Sequence, residues 1–154
     1  MTRSAIGIGS NAEHAEDVVR SAFERLRDVG TVLARSPLYR TEPWGVHDQP
    51  AFVNAAALVE TALDARTLLS ALKRIERDAG RVPTYRWGPR VLDLDILTYG
   101  EERVDDADLV IPHPRLHERA FALVPLAAVD ARFAAARDAL PPGDRATVVE
   151  LAPR

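Results

Sequence analysis

Two amphipathic helical stretches, each closed by a glycine and each set between apolar segments, constrain this chain more than any other feature. Val18, Val19, Ala22, Phe23, Leu26 and Val29 recur at the i, i+3, i+4, i+7 spacing of a helix with one buried face, and Gly30 ends the run. Ser10 or Asn11 is the expected N-cap. Leu68, Leu69, Leu72, Ile75 and Ala79 repeat the pattern behind a capping Asp64, and Gly80 stops it. Lys73, Glu76 and Arg77 are neighbours on the other side of that second helix. Around the helices, residues 4–9, 31–39, 52–60 and 91–99 read as strands, with Pro37 marking an edge or a bulge in the second.

The resulting order, β-α-β-β-α-β, is the ferredoxin-like unit. Residues 116–129 are mostly helical in pattern, with Pro125 starting a second segment or kinking the first. Extra C-terminal helices there are expected to cover the second sheet face, giving an α+β, three-layer α-β-α sandwich. Leu109-Val110-Ile111 is too short to assign, and the alanine-rich tail past Ala131 suggests no task.

The length of 154 residues fits one domain, spanning 1–154, with a sizeable core. A net charge of -3 opposes a general nucleic-acid binder, so any basic patch is local. Without cysteine there is neither a disulfide framework nor a thiolate zinc site. The start lacks a signal peptide's apolar core and no apolar run is long enough to span a bilayer, so a cytoplasmic location is expected.

Chemistry concentrates in Arg86-Trp87-Gly88-Pro89-Arg90-Val91-Leu92-Asp93-Leu94-Asp95-Ile96. On a strand, Leu92, Leu94 and Ile96 share one face while Asp93 and Asp95 share the other, roughly 6.6 Å apart along the chain. Alternating aspartates also occur where a sheet simply meets water, but Asp is disfavoured in strands and two in succession need a reason. Carboxylates for a hard cation beside guanidiniums for phosphate suggest a magnesium–polyphosphate site. No phosphate-binding glycine loop is present, since Gly7-Ile8-Gly9-Ser10 has neither the P-loop nor the dinucleotide spacing. Phosphates would then be held by side chains and metal, with Lys73, Arg81, Arg86, Arg90, His113 and Arg119 as candidates. His113, fixed between two prolines, serves equally as a helix-capping histidine. Trp44 and Trp87 lie in polar loops where a flat heterocycle can stack, with Thr41 and Asn54 placed to read its edge.

Together these residues resemble the 6-hydroxymethyl-7,8-dihydropterin pyrophosphokinase family. The resemblance runs through Gly9-Ser10-Asn11, Tyr39-Arg40-Thr41, Asp48-Gln49-Pro50, Phe52-Val53-Asn54-Ala55, Arg74-Ile75-Glu76 and Gly80-Arg81-Val82. It continues through Arg86-Trp87-Gly88-Pro89-Arg90, Leu92-Asp93-Leu94-Asp95-Ile96, Pro112-His113-Pro114-Arg115 and Arg119-Ala120-Phe121. It implies transfer of pyrophosphate from ATP to the hydroxymethyl group of the reduced pterin, releasing AMP, in folate biosynthesis. Asp93 and Asp95 would hold two Mg²⁺ ions, and Arg81, Arg86 and Arg90 would join them as catalytic residues. Lys73, Glu76, Arg90, Ile96, His113 and Arg119 would serve ATP. Thr41, Pro43, Trp44, Phe52, Asn54, Trp87 and Phe121 would line the pterin pocket, with the ring between Trp87 and Phe121. The expected partners are small molecules only, neither nucleic acid nor membrane, and the expected state is a monomer.

This sequence departs from the family pattern at Pro83, where many members carry a second arginine, implying a stiffer and less cationic lid over 81–85. Lys73 stands where some members have glutamine, and Glu42 replaces a small or proline residue. Two rivals stand beside the main reading. One is a different Mg²⁺-dependent phosphotransferase or pyrophosphohydrolase on the same scaffold. The other is a ferredoxin-like sheet binding single-stranded nucleic acid through Trp44, Trp87 and the arginines, which the acidic strand opposes.

Overall fold

The structure, a computed structural model, describes residues 1–41, 51–80 and 91–153. The chain opens on β1 (Thr2–Ser10) and α1 (Ala15–Arg25), followed by β2 (Thr31–Arg35), β3 (Tyr39–Thr41) and β4 (Phe52–Thr61). Next come α2 (Ala65–Asp78), β5 (Asp93–Tyr99), and the short pair β6 (Val104–Asp105) and β7 (Val110–Ile111). The remainder is α3 (Ala120–Val129), α4 (Ala134–Asp138), α5 (Pro142–Ala146) and β8 (Val149–Glu150).

The main sheet is antiparallel in the order β5-β1-β4-β3-β8, with β2 also paired to β4. The four principal strands thus follow the expected ferredoxin-like unit. One face carries Ile6, Ile8, Val53, Ala55, Ala57, Val59, Leu92, Leu94 and Ile96 against the apolar stripes of α1 and α2. The other carries Ala5, Ala56 and Leu97 against Leu123 and Leu126 of α3. A helix layer on each face gives the three-layer sandwich.

Local chemistry revises several boundaries. The segment expected as one strand over 31–39 is two, because Pro37 has no N–H for the ladder. Ser36 bridges the gap: its N–H donates to Ala56 O at 2.9 Å and its Oγ accepts from Ala56 N at 2.8 Å. The first helix is not capped by Ser10 or Asn11. It starts after His14, which is left-handed at φ 64, while Ser10 Oγ accepts from Ala12 N at 3.2 Å within the turn. Gly30 does not end α1 either. The helix gives way at Leu26 to a tight 3₁₀ turn, and a Cβ at Gly30 would lie 2.2 Å from the carbonyl oxygen of Glu60. Glycine is required there because two backbones touch.

The cap at Asp64 is as read, accepting from Thr67 N at 2.8 Å. Pro125 lies inside the continuous helix α3. Leu109-Val110-Ile111 does contribute a strand, since Val110 and Ile111 pair with Asp105 and Val104. The tail also has a place: α4 and α5 pack on α3, and β8 adds an outer strand beside β3.

Candidate active site

The pairing register builds the site. Asp93 of β5 lies opposite Gly9 of β1, Gly9 opposite Asn54 of β4, and Asn54 opposite Tyr39 of β3. Directly opposed residues share a sheet face, so these four side-chain positions form one row on the α3 side. A second row runs Asp95, Gly7, Ala56. Asp93 and Asn54 are therefore two interstrand spacings apart, about 9.5 Å. The glycines leave the floor between them without side chains. A Cβ at Gly9 would stand 3.0 Å from Asn54 Oδ1, and one at Gly7 would meet the Leu97 side chain at 3.3 Å. The result is a trough in the row of side chains, floored by the backbone of β1 and bordered closely by Asn54 and Leu97, with carboxylates on one bank and a carboxamide on the other.

On the carboxylate bank, Asp95 is exposed and Asp93 half-buried, with Leu92, Leu94 and Ile96 pointing into the opposite core as the alternation predicts. The Leu94 N–H, between the two aspartates, donates to Glu76 Oε2 at 2.8 Å. Glu76 is only 2% exposed. This corrects its placement on the outer side of α2: an edge strand leaves alternate N–H groups unpaired, and Glu76 turns inward to accept one. Its other oxygen, Oε1, lies 3.4 Å from Lys73 Nζ, whose side chain is exposed. Ile96, expected to serve ATP, has its side chain buried in the α1/α2 core.

His113 follows β7, its backbone N–H donating to Leu97 O at 3.2 Å. The imidazole is partly buried, and that burial holds its pKa below the usual histidine value. The Asp95 charge pulls the other way and the Arg119 charge adds to the lowering. The three side chains thus share one electrostatic neighbourhood. Arg119 caps the start of α3 and lies 5.7 Å over the Phe121 ring.

On the opposite bank, Asn54 Nδ2 donates to Thr41 Oγ1 at 2.7 Å, and both side chains are buried. Phe52, opposite Thr41 at the start of β4, is half-buried. Tyr39 has its phenol pKa raised, first by burial and next by the Glu150 carboxylate, with Arg137 opposing.

Residues 5–131 match the model of the 7,8-dihydro-6-hydroxymethylpterin-pyrophosphokinase (HPPK) family. The chain belongs to this family. A pyrophosphokinase of Methylorubrum extorquens, named 2-amino-4-hydroxy-6-hydroxymethyldihydropteridine pyrophosphokinase, is 46% identical over 131 residues, 84% of this chain and 83% of that protein. A protein of the same name from Pseudomonas aeruginosa is 46% identical over 81% of this chain and 78% of its own length. Among solved structures, Plasmodium falciparum HPPK-DHPS with pteroate superposes with a TM-score of 0.65 at 14% identity, over 82% of this chain and 38% of that one. Another HPPK-DHPS, in complex with substrates, gives 0.69 at 13% identity over 90% of this chain and 45% of that one. At these identities the structures carry the fold alone, and this chain spans less than half of either.

Seven of the described candidates share the α3 side of the sheet and Phe121 begins α3 itself, whereas Lys73 and Glu76 lie on α2 and Ile96 points into the α1/α2 core. Asp93, Asp95, His113 and Arg119 sit on the β5 side, Thr41, Phe52 and Asn54 on the β3–β4 side, and Phe121 at the start of α3. Pro43, Trp44, Arg81, Arg86, Trp87 and Arg90, with the lid expected over 81–85, lie outside the described residues. Gly7 and Gly9 were not singled out as site residues. Their i, i+2 spacing on a strand was the available signal, because glycine there marks a close approach. Tyr39 gave no such signal, and its place in the row follows from register alone.

Proposed function

We propose that this pyrophosphokinase transfers the β,γ-pyrophosphoryl unit of ATP to 6-hydroxymethyl-7,8-dihydropterin across the glycine-floored trough, with the nucleotide on the aspartate bank and the pterin on the Asn54 bank. The hydroxymethyl oxygen bonds to the β-phosphorus, the bond to the α-phosphate oxygen breaks, and AMP and a proton leave. The observation that carries this arrangement is the cross-strand row Asp93–Gly9–Asn54. A gap of about 9.5 Å suits a short phosphate chain reaching between two substrates.

The donor set suits magnesium. Two carboxylates project from one strand face, and no group of three or more metal-binding side chains occurs among the described residues. Mg²⁺ is ordinarily held by one or two carboxylates together with substrate phosphates. Asp93 and Asp95 would hold two ions in this reading. When bound, they neutralise phosphate charge and orient attacking and leaving oxygens.

Every other task falls to the chain. His113, largely neutral at pH 7, offers an imidazole N–H to phosphate, and Arg119 offers a guanidinium. Lys73 borders the nucleotide side, Glu76 holds the Leu94 N–H between the two aspartates, and Ile96, its side chain in the core, offers ATP only its backbone, while Arg81, Arg86 and Arg90 supply positive charge to the phosphates. Thr41 fixes the Asn54 amide so that its oxygen, which bonds to no other described residue's donor here, faces Gly9 and the ring edge. Phe52 and Phe121 contribute the pocket's apolar walls, with Pro43, Trp44 and Trp87. The domain spans 1–154 and acts as a cytoplasmic monomer. Among the described residues no helix is long and apolar enough to cross a membrane.

Asp95→Ala tests this reading. The variant is expected to bind the pterin with parent affinity and to form no pterin diphosphate. Near-parent turnover would refute the metal assignment.

A further inference from the structure

The family match ends at residue 131, yet the chain beyond it pairs with β3 and packs on α3, the two elements beside the proposed pterin bank of the trough. Phe133 and Leu140 pack into the core under α3, the helix whose first turn carries Phe121, and α4 and α5 lie against that helix. The chain then crosses the sheet edge. Val148 packs on the α3 face, Leu151 packs on the α1/α2 face, and β8 between them pairs Val149 with Arg40 and Glu150 with Tyr39. Leu151 N donates to Leu38 O at 2.8 Å, closing the pairing at the strand's start.

β3 needs such support. It is three residues long, held by β4 on one side, and it ends on Thr41, whose hydroxyl accepts the Asn54 amide. A strand this short has little stability alone, because few ladder bonds oppose the cost of ordering it. An outer strand anchored in both core layers removes that freedom.

We infer that the segment 134–151 is a brace that positions the pterin pocket, fixing β3, and with it the Thr41–Asn54 pair, against α3 and Phe121. This rests on the assignment of those residues to the pterin. The brace acts through backbone pairing and packing and touches neither substrate. It therefore affects pterin capture and leaves the nucleotide side, built on β5, unchanged.

Leu151→Pro in the full-length chain removes the donor to Leu38 O. The expected result is a pterin KM raised about three- to ten-fold, the factor that one hydrogen bond supplies, with the ATP KM and kcat close to the parent values. The double variant V148A/L151A keeps every backbone donor and is expected to move the pterin KM in the same direction. It serves as the test if the proline variant loses cooperative unfolding. An unchanged pterin KM, or equal rises in both KMs, overturns the brace. Asn54→Ala run alongside separates the two claims: an unchanged pterin KM there removes the pocket assignment itself, whereas a raised one leaves only the brace at stake.

Discussion

Glu76 and Leu94 are joined by a 2.8 Å hydrogen bond from the Leu94 backbone N–H to a carboxylate that is almost wholly buried. The contact ties the last turns of α2 to the edge strand midway between Asp93 and Asp95. An edge strand carries unpaired donors on its outer side, and this one is met from within the same domain rather than by water.

Replacing Glu76 therefore affects stability as well as nucleotide handling. Glu76→Ala strands a buried N–H and is expected to cost about 1–3 kcal/mol. Glu76→Gln keeps an acceptor of the same shape and is expected to cost less. Urea denaturation of the two variants checks the ordering, and equal losses would mean that the Leu94 bond is not the reason for the burial.

Gly9 stands between the two banks. Gly9→Ala places a Cβ 3.0 Å from Asn54 Oδ1, so the amide must shift or the strands must part. Because Thr41 holds the other end of that amide, a several-fold higher pterin KM and a stability loss of about 1 kcal/mol are expected. Steady-state kinetics with each substrate varied in turn reads the effect. A rise in the ATP KM alone would place the pterin elsewhere.

His113 gives a pH signature in the protein without ligands. Its folded-state pKa lies below the ordinary value, burial being the main cause. The unfolded chain thus binds the proton more readily, so this group's contribution to stability is full above the unfolded pKa near 6.5 and is lost as pH falls through the folded value. Parent protein should lose more stability than His113→Gln between pH 7.5 and pH 5, measured by urea midpoints at each pH. Identical slopes would contradict the partial burial of the imidazole.

Much of this was legible in the chain. The two helical stripes, the capping Asp64 and the alternation around Asp93 and Asp95 each depend on local spacing, and each is present in the structure. What local spacing does not carry is register. Nothing in Gly7 and Gly9 alone says that they lie opposite Asp95 and Asp93, or that Asn54 completes the row. Glu76 misled through its charge rather than its spacing: it lies four residues after Leu72 and eight after Leu68, within the buried stripe, and a donor from a strand distant in sequence accommodates its carboxylate there. Pro37 signals an edge or a bulge in the sequence, whereas the structure divides the strand there, with Ser36 bridging to Ala56 across the gap. The tail carried no motif because its role is to pair backbone and fill two core layers.

A pyrophosphokinase is defined by which bond of ATP it breaks and for which acceptor. The most direct measurement is to incubate the purified protein with ATP, Mg²⁺ and 6-hydroxymethyl-7,8-dihydropterin and to identify the nucleotide product, with and without the pterin. The expected product is AMP, formed in step with pterin diphosphate and only when the pterin is present. ADP or orthophosphate as the product, or AMP formed equally without the pterin, would contradict it.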